Sequence, residues 1–196
     1  MKKYLALALA AALTHTACEE KQTAPQQPTQ EAAAVPEPAE KAGSPIKTVK
    51  IGEQVWMAEN LNIETEGSVC YQNNPENCGK YGRLYNWQAA TKACPIGWHL
   101  PSNAEWSKLD IGEESDGKSL KAKSWNGTDQ YGFAALPGGR GDSSGDYDNL
   151  GERGYWWSST EDGDRAYLLC IYCNAGQLFL YDTEKENLIS IRCIKD

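Results

Sequence analysis

Seven cysteines, at positions 18, 70, 78, 94, 170, 173 and 193, constrain this chain of 196 residues more than any other feature. Six of them share the stretch after Ile46 with all seven tryptophans and nine of the ten tyrosines. Residues 19–45, in contrast, carry five of the nine prolines and no aromatic side chain. Core-forming side chains and potential cross-links are thus concentrated in one C-terminal unit, 46–196, of ordinary domain size. The segment 19–45, rich in Ala, Gln, Glu and Pro, cannot bury enough apolar surface to offset its ordering entropy. It is expected to be an extended tether, reaching up to roughly 80 Å if polyproline-like.

Residues 1–18 have the organisation of an export signal. Lys2 and Lys3 precede an unbroken apolar run, Leu5 to Leu13, whose nine residues fall far short of the roughly 20 that span a bilayer as a helix. In an exported chain cysteines pair, and an odd number leaves one over. Cys18, directly after the apolar run, resembles the lipid-attachment cysteine of bacterial lipoproteins. Thr16 and Ala17 supply the small residues expected before it, while His15 stands where an aliphatic residue is usual. Glu19-Glu20 resembles the acidic signal that directs some lipoproteins to the outer surface. The expectation is a chain tethered by a lipid on Cys18 to the bacterial envelope, at the outer membrane or cell surface.

Charge and histidine usage remove several function classes. Nineteen Lys and Arg face 27 Asp and Glu, a net charge of −8, so the chain lacks the basic excess that nucleic-acid binding requires. His15 lies in the leader, leaving His99 as the sole imidazole of the remainder, which excludes multi-histidine metal sites. Asp142, Asp146, Asp148 and Glu152 lack the spacing of a calcium loop and are expected to be a solvated acidic stretch. No metal or cofactor is implied.

Along the domain, Thr48 to Met57 alternates around Gly52-Glu53 and predicts a hairpin. Leu84, Trp87, Thr91 and Cys94 fall at helical spacing, putting Cys94 on the buried stripe of a helix that ends before Pro95. Ser102-Asn103-Ala104-Glu105 is a capping-box pattern starting a second helix with Trp106 and Leu109 inward. Residues 112–153, rich in Gly and Asp, predict loop, interrupted by the apolar stretch Phe133 to Leu136. Strands follow at Tyr155–Ser158, 166–172, 177–181 and 188–194, with turns at 174–176 and 184–187. Helices early and antiparallel strands late define an α+β class.

The runs Trp98-His99-Leu100-Pro101-Ser102-Asn103-Ala104-Glu105-Trp106, Tyr155-Trp156-Trp157-Ser158-Ser159 and Ser190-Ile191-Arg192-Cys193 resemble the Fibrobacter succinogenes major paralogous domain. So does Cys70-Tyr71 through Cys78, followed by Tyr81-Gly82-Arg83-Leu84-Tyr85-Asn86-Trp87. The resemblance covers roughly residues 46–196 and implies a bacterial surface or secreted protein, often a lipoprotein, without a settled activity. More distantly, Leu100-Pro101, Ala104-Glu105-Trp106 and the late Arg-Cys resemble the superfold of formylglycine-generating enzymes and C-type-lectin-like domains. That implies two helices and long loops over a twisted, mainly antiparallel sheet, stapled by disulfides.

Six cysteines allow 15 pairings. Cys94 and Cys193 lie on the core faces of their elements, and the superfold ties its first helix to its last strand, so this pair is expected to bond. Cys70 and Cys78 would clip a local loop. Cys170 and Cys173 remain for a third bridge or an unpaired state: on a strand, residues i and i+3 face opposite ways, and pairing needs a bend. The superfold's oxidases hold copper with two late cysteines, so a copper-dependent thiol oxidase is the competing reading, although the spacing here is shorter. The 27 acids offer too many pairs for any motif to select a carboxylate hydrolase.

The remaining signal is aromatic. Trp125, Tyr131, Tyr147, Tyr155 and Trp157 cluster in sequence with Arg140, Asp146 and Arg153, a combination that suits sugar rings, whose C–H faces stack while hydroxyls meet planar polar groups. The competing assignment is plain core packing in a Trp-rich domain. The sequence-level expectation is a non-catalytic module that binds polysaccharide or a surface protein, with a purely structural envelope protein as the bland alternative.

Overall fold

The computed structural model describes residues 45–109, 117–174 and 176–196. The leader with Cys18, the tether up to residue 44, and residues 110–116 and 175 of the expected loops lie outside the described residues.

Alternation around the left-handed Gly52 produces the predicted hairpin, β1 (Thr48–Ile51) and β2 (Gln54–Met57), in register from Thr48↔Met57 to Ile51↔Gln54. The other strands are β3 (Ser68–Val69), β4 (Leu84–Tyr85), β5 (Trp98–His99), β6 (Gly138–Gly141), β7 (Tyr147–Leu150), β8 (Arg153–Asp162), β9 (Arg165–Tyr172), β10 (Leu178–Glu184), β11 (Ile189–Ser190) and β12 (Ile194–Lys195). They form a sheet ordered β1-β2-β12-β5, a six-stranded sheet ordered β10-β9-β8-β11-β4-β3, and the hairpin β6-β7. The expected final strand 188–194 is broken into β11 and β12, which serve different sheets and so join the two ends of the domain.

Among the described residues the α-helices are three and short: α1 (Pro75–Tyr81), α2 (Trp87–Ala93) and α3 (Asn103–Ser107). The chain is therefore mostly sheet with few helices. α3 starts at the predicted capping box, in which the Ser102 hydroxyl accepts from the Glu105 amide and the Glu105 carboxylate accepts from the Ser102 amide at 2.7 Å. The expected stripe on α2 is corrected. Leu84 belongs to β4, Thr91 is exposed and donates its hydroxyl proton to the Gln88 carbonyl, and the buried side is Ala90 and Ala93, with Trp87 and Cys94 at its edges. α1 is a third helix, started by the Asn74 side chain, which accepts from the Glu76 amide.

The two expected disulfides form. Cys70–Cys78 closes eight residues, and Cys94–Cys193 closes 99 and ties the end of α2 to the approach to β12. On the chain-entropy account they contribute about 2–3 and about 4–5 kcal/mol. Cys170 does not join a third bridge: its thiol is free and buried, and Cys173 is not its partner. The strand period explains this, because Cys170 faces one core cluster while Cys173 packs against the other.

β8 and β9 are covered on both faces. On one side Tyr155, Trp157, Leu168 and Cys170 pack with Tyr85, Ile189, Ile191 and the Cys94–Cys193 bridge. On the other, Trp156, Leu169 and Ile171 pack against Trp56, Trp106, Trp125 and Phe133. The Trp56 and Trp106 rings stack 4.7 Å apart, and Phe133 meets the rings of Trp56, Trp106 and Trp156 edge-on.

Candidate ligand-binding groove

Residues 138–150, expected as loop, form the β6-β7 hairpin instead. Its sequence, Gly138-Gly139-Arg140-Gly141, has little strand propensity, but glycine is what the packing demands. At Gly139 (φ +63°) a Cβ would lie 2.5 Å from the Asp148 carbonyl and 2.8 Å from the Tyr71 ring. Paired amide–carbonyl bonds of 2.9 Å between Gly141 and Leu188 clip the hairpin to the segment after β10. The Tyr147 ring rests on Tyr71, centroids 4.9 Å apart.

This frame creates an open groove of about 260 Å³ between the hairpin and the end of β10. Arg140, Asp146, Tyr147 and Asp148 line one side, and Thr183, Glu184 and Asn187 the other. Arg140 grips Asp148 with two guanidinium nitrogens, at 3.1 and 3.2 Å, and this carboxylate holds its pKa above the ordinary value. Asp142 accepts from the Ser144 hydroxyl and from the amides of Ser144 and Asp146, which keeps its carboxyl below the usual range. Asn187 donates to the Thr183 hydroxyl at 2.7 Å. Thr183, Glu184 and Asn187 could not be found by spacing along the chain; the β10-β9 pairing and the Gly141–Leu188 bonds together bring them beside Arg140.

Beneath the groove the expected aromatic set divides. Arg140 lies over the Tyr155 ring at 5.4 Å, and Arg153 lies over Tyr172 at 4.5 Å. Phe179, 36% exposed, meets Tyr172 edge-on and extends this face to the surface. Arg140, Asp146, Tyr147 and Arg153 are thus solvent-accessible, whereas Tyr155 and Trp157 are enclosed, at 1% and 0% exposure, and cannot stack on a ligand. Trp125 and Tyr131 belong to the opposite face of the sheet, Trp125 buried among the tryptophans and Tyr131 packed at their edge. Trp125, Tyr155 and Trp157 are therefore core, Tyr131 is partly buried at the core's edge, and Phe179 is a surface aromatic that the sequence did not single out.

The enclosed polar groups behind this face are electrostatically quiet. Burial pushes both the Tyr155 phenol and the Cys170 thiol up to about 12, so both stay protonated at neutral pH. The Arg153 guanidinium beside the Tyr155 hydroxyl opposes this upward shift without cancelling it. His99 is held between two carboxylates, with Nδ1 2.7 Å from Asp196 and Nε2 2.9 Å from Glu105. Among the described residues no cluster of three or more His, Cys, Asp or Glu side chains could hold a metal ion, and no helix is long and apolar enough to cross a membrane.

Fold and groove together define a disulfide-stapled, sheet-dominated domain with a recessed row of hydrogen-bonding side chains. Residues 49–195 match the Fibrobacter succinogenes major domain, and the chain belongs to that family. No curated protein and no solved structure matches the chain.

Proposed function

We propose that this chain is a non-catalytic, envelope-tethered binding module that takes a glycan in the groove between β6-β7 and β10. The observation that carries the reading is the groove's lining: donors and acceptors from Arg140, Tyr147, Asp148, Thr183 and Asn187 converge on about 260 Å³ of open space, on backbone fixed by cross-strand bonds. Loops and hairpin tips on a rigid scaffold are where binding residues concentrate. Sugar hydroxyls, which both donate and accept, match such a mixed wall better than an apolar or singly charged ligand does. The test is retention on immobilised polysaccharides and whole cell envelopes. Tyr147→Ala and Arg140→Ala, with folding confirmed by thermal melts, should each lose about 1–3 kcal/mol, roughly ten- to a hundredfold in affinity. Retention only on protein-bearing surfaces would move the assignment to a protein partner. No retention of the native chain on any surface would favour the purely structural reading.

Tethering belongs to the same proposal. The apolar run, the small residues Thr16 and Ala17 directly before Cys18, and the Pro-rich segment support export and a lipid on Cys18, in the outer membrane or at the cell surface. Cys18→Ala should release the protein into the soluble exported fraction. Native protein without lipid mass, or Cys18 recovered in a disulfide-linked peptide, would overturn it.

A C-type-lectin-like fold is proposed on two features, the bridge from α2 to the last strands and the pairing of β12 with both β2 and β5. The copper-oxidase alternative gains no support from Cys170 and Cys173, which face opposite sides of the sheet.

A further inference from the structure

On β10 the side chains of Phe179, Tyr181 and Thr183 share one face of the strand. Their partners on β9 are Cys170, Leu168 and Ala166, which all lie on the side of Tyr155 and Trp157. Thr183 lines the groove, and Phe179, earlier on the same strand, is about 13 Å away at the usual rise per residue. Polar and aromatic groups fill the interval. Tyr181 is half-buried there with its hydroxyl engaged by the Cys170 thiol, and the Arg140 charge acts on both Tyr181 and Tyr155. At the far end the Arg153 guanidinium covers the Tyr172 ring, and Phe179 meets that ring edge-on with centroids 5.1 Å apart. Arg140 is paired with Asp148, whereas no carboxylate pairs with Arg153 among the described residues.

The groove, at about 260 Å³, falls below the roughly 300–1,000 Å³ of sites that enclose a whole small molecule. A ligand held by Arg140, Tyr147 and Asn187 therefore extends beyond it, and β10 leads from there to an exposed ring. We propose that groove and strip form one track, which takes an internal stretch of a linear polysaccharide rather than a single terminal sugar. Phe179 stacks on the C–H face of a ring beyond the groove, and Arg153 donates to the polar groups of that ring. One sugar ring cannot reach from Thr183 to Phe179; a chain of linked rings can. An extended peptide fits less well, because it docks by adding a strand to a free sheet edge, and this strip lies on a sheet face. The inference rests on the glycan reading of the groove and adds to it the length of the ligand and the mode of its recognition.

The experiment is calorimetric titration of the full chain with glucose and with linear α-1,4-glucan, β-1,4-glucan and α-1,4-galacturonan oligomers of two to six units. In the ladder that binds, affinity should rise about tenfold or more from the shortest to the longest oligomer and then level off. Phe179→Ala should weaken the longest oligomers about tenfold and leave the shortest unchanged, as loss of one stacking ring predicts. Phe179→Leu, which keeps the apolar bulk, should show the same loss if the alanine variant melts early, and Phe179→Trp should retain the length dependence. Arg153→Gln should again weaken only the long oligomers, whereas Tyr147→Ala should weaken every length. Equal affinity at all lengths, or native affinity of Phe179→Ala and Arg153→Gln for the longest oligomers, would overturn the track and leave the groove reading standing. No binding of any ladder by the native chain would overturn the track together with the glycan reading.

Discussion

The two faces of β8 and β9 are built by different means. One face is a dry aromatic block in which Trp56, Trp106, Trp156 and Phe133 hold one another by ring packing. The other mixes Trp157 and aliphatic side chains with phenols and a thiol, is clamped by Cys94–Cys193, and opens at one end onto the arginines and the groove. Ring packing fixes the sheet's shape there, even though the buried indole N–H groups of Trp56 and Trp125 find no acceptor among the described residues. The clamped face can carry a more polar interior, because the covalent link restricts the unfolded chain whatever the packing. Candidate binding residues sit over the clamped face, where polar side chains already reach the surface.

The comparison can be broken in order of expected effect. Replacing both Cys94 and Cys193 by Ala should cost about 4–5 kcal/mol in urea unfolding, as a loop of this length predicts. A loss near 1 kcal/mol would mean that packing alone maintains the clamped face. On the aromatic face, Trp106→Ala should cost about 3–5 kcal/mol and should leave ligand retention by the residual folded protein unchanged, since Trp106 is buried away from the groove. Loss of retention at full folding would show that the two faces are coupled. The local Cys70–Cys78 clip, removed as a pair, should cost about 2–3 kcal/mol.

The smallest effect is a pH dependence. Burial disfavours the His99 charge, but the carboxylates of Glu105 and Asp196 more than offset this and raise its pKa from the ordinary 6.5. A raised folded-state pKa gives a stabilisation fully present below about pH 6.5 and lost as pH rises through the folded value. The urea midpoint should therefore decline modestly across that window, and His99→Gln should flatten the decline. Titration of the His99 ring resonance to a midpoint at or below 6.5 would contradict the geometry.

Legibility in the sequence followed the same division. The β1-β2 hairpin, the capping box of α3 and the Cys70–Cys78 clip were readable because turn, cap and short-loop chemistry is local, whereas Cys94–Cys193 was readable through core-face placement together with the superfold resemblance. α1 was not, since Pro75, Asn77 and Gly79 mask its helical character and its start depends on the Asn74 cap and the Cys70–Cys78 clip. The β6 strand was hidden by its three glycines, present for close approach to Tyr71 and β7 rather than for flexibility. Half of the groove was legible: Arg140, Asp146 and Tyr147 lie where expected, but Thr183 and Asn187 arrive through long-range pairing. Trp125 and Trp157 misled because alternation separates the two faces of a strand, and here both faces are interior.

The Cys94–Cys193 bridge also sets the path of mechanical load. β5 through β11, and with them the entire groove, lie within the segment that this bridge closes. Tension applied along the backbone on either side of the domain passes from Cys94 to Cys193 through two sulfur atoms and bypasses everything between them. A pull on the backbone ahead of β1 can peel β1 from β2 without stretching the hairpin that carries Arg140 and Tyr147. The groove is thereby insulated from end-to-end strain.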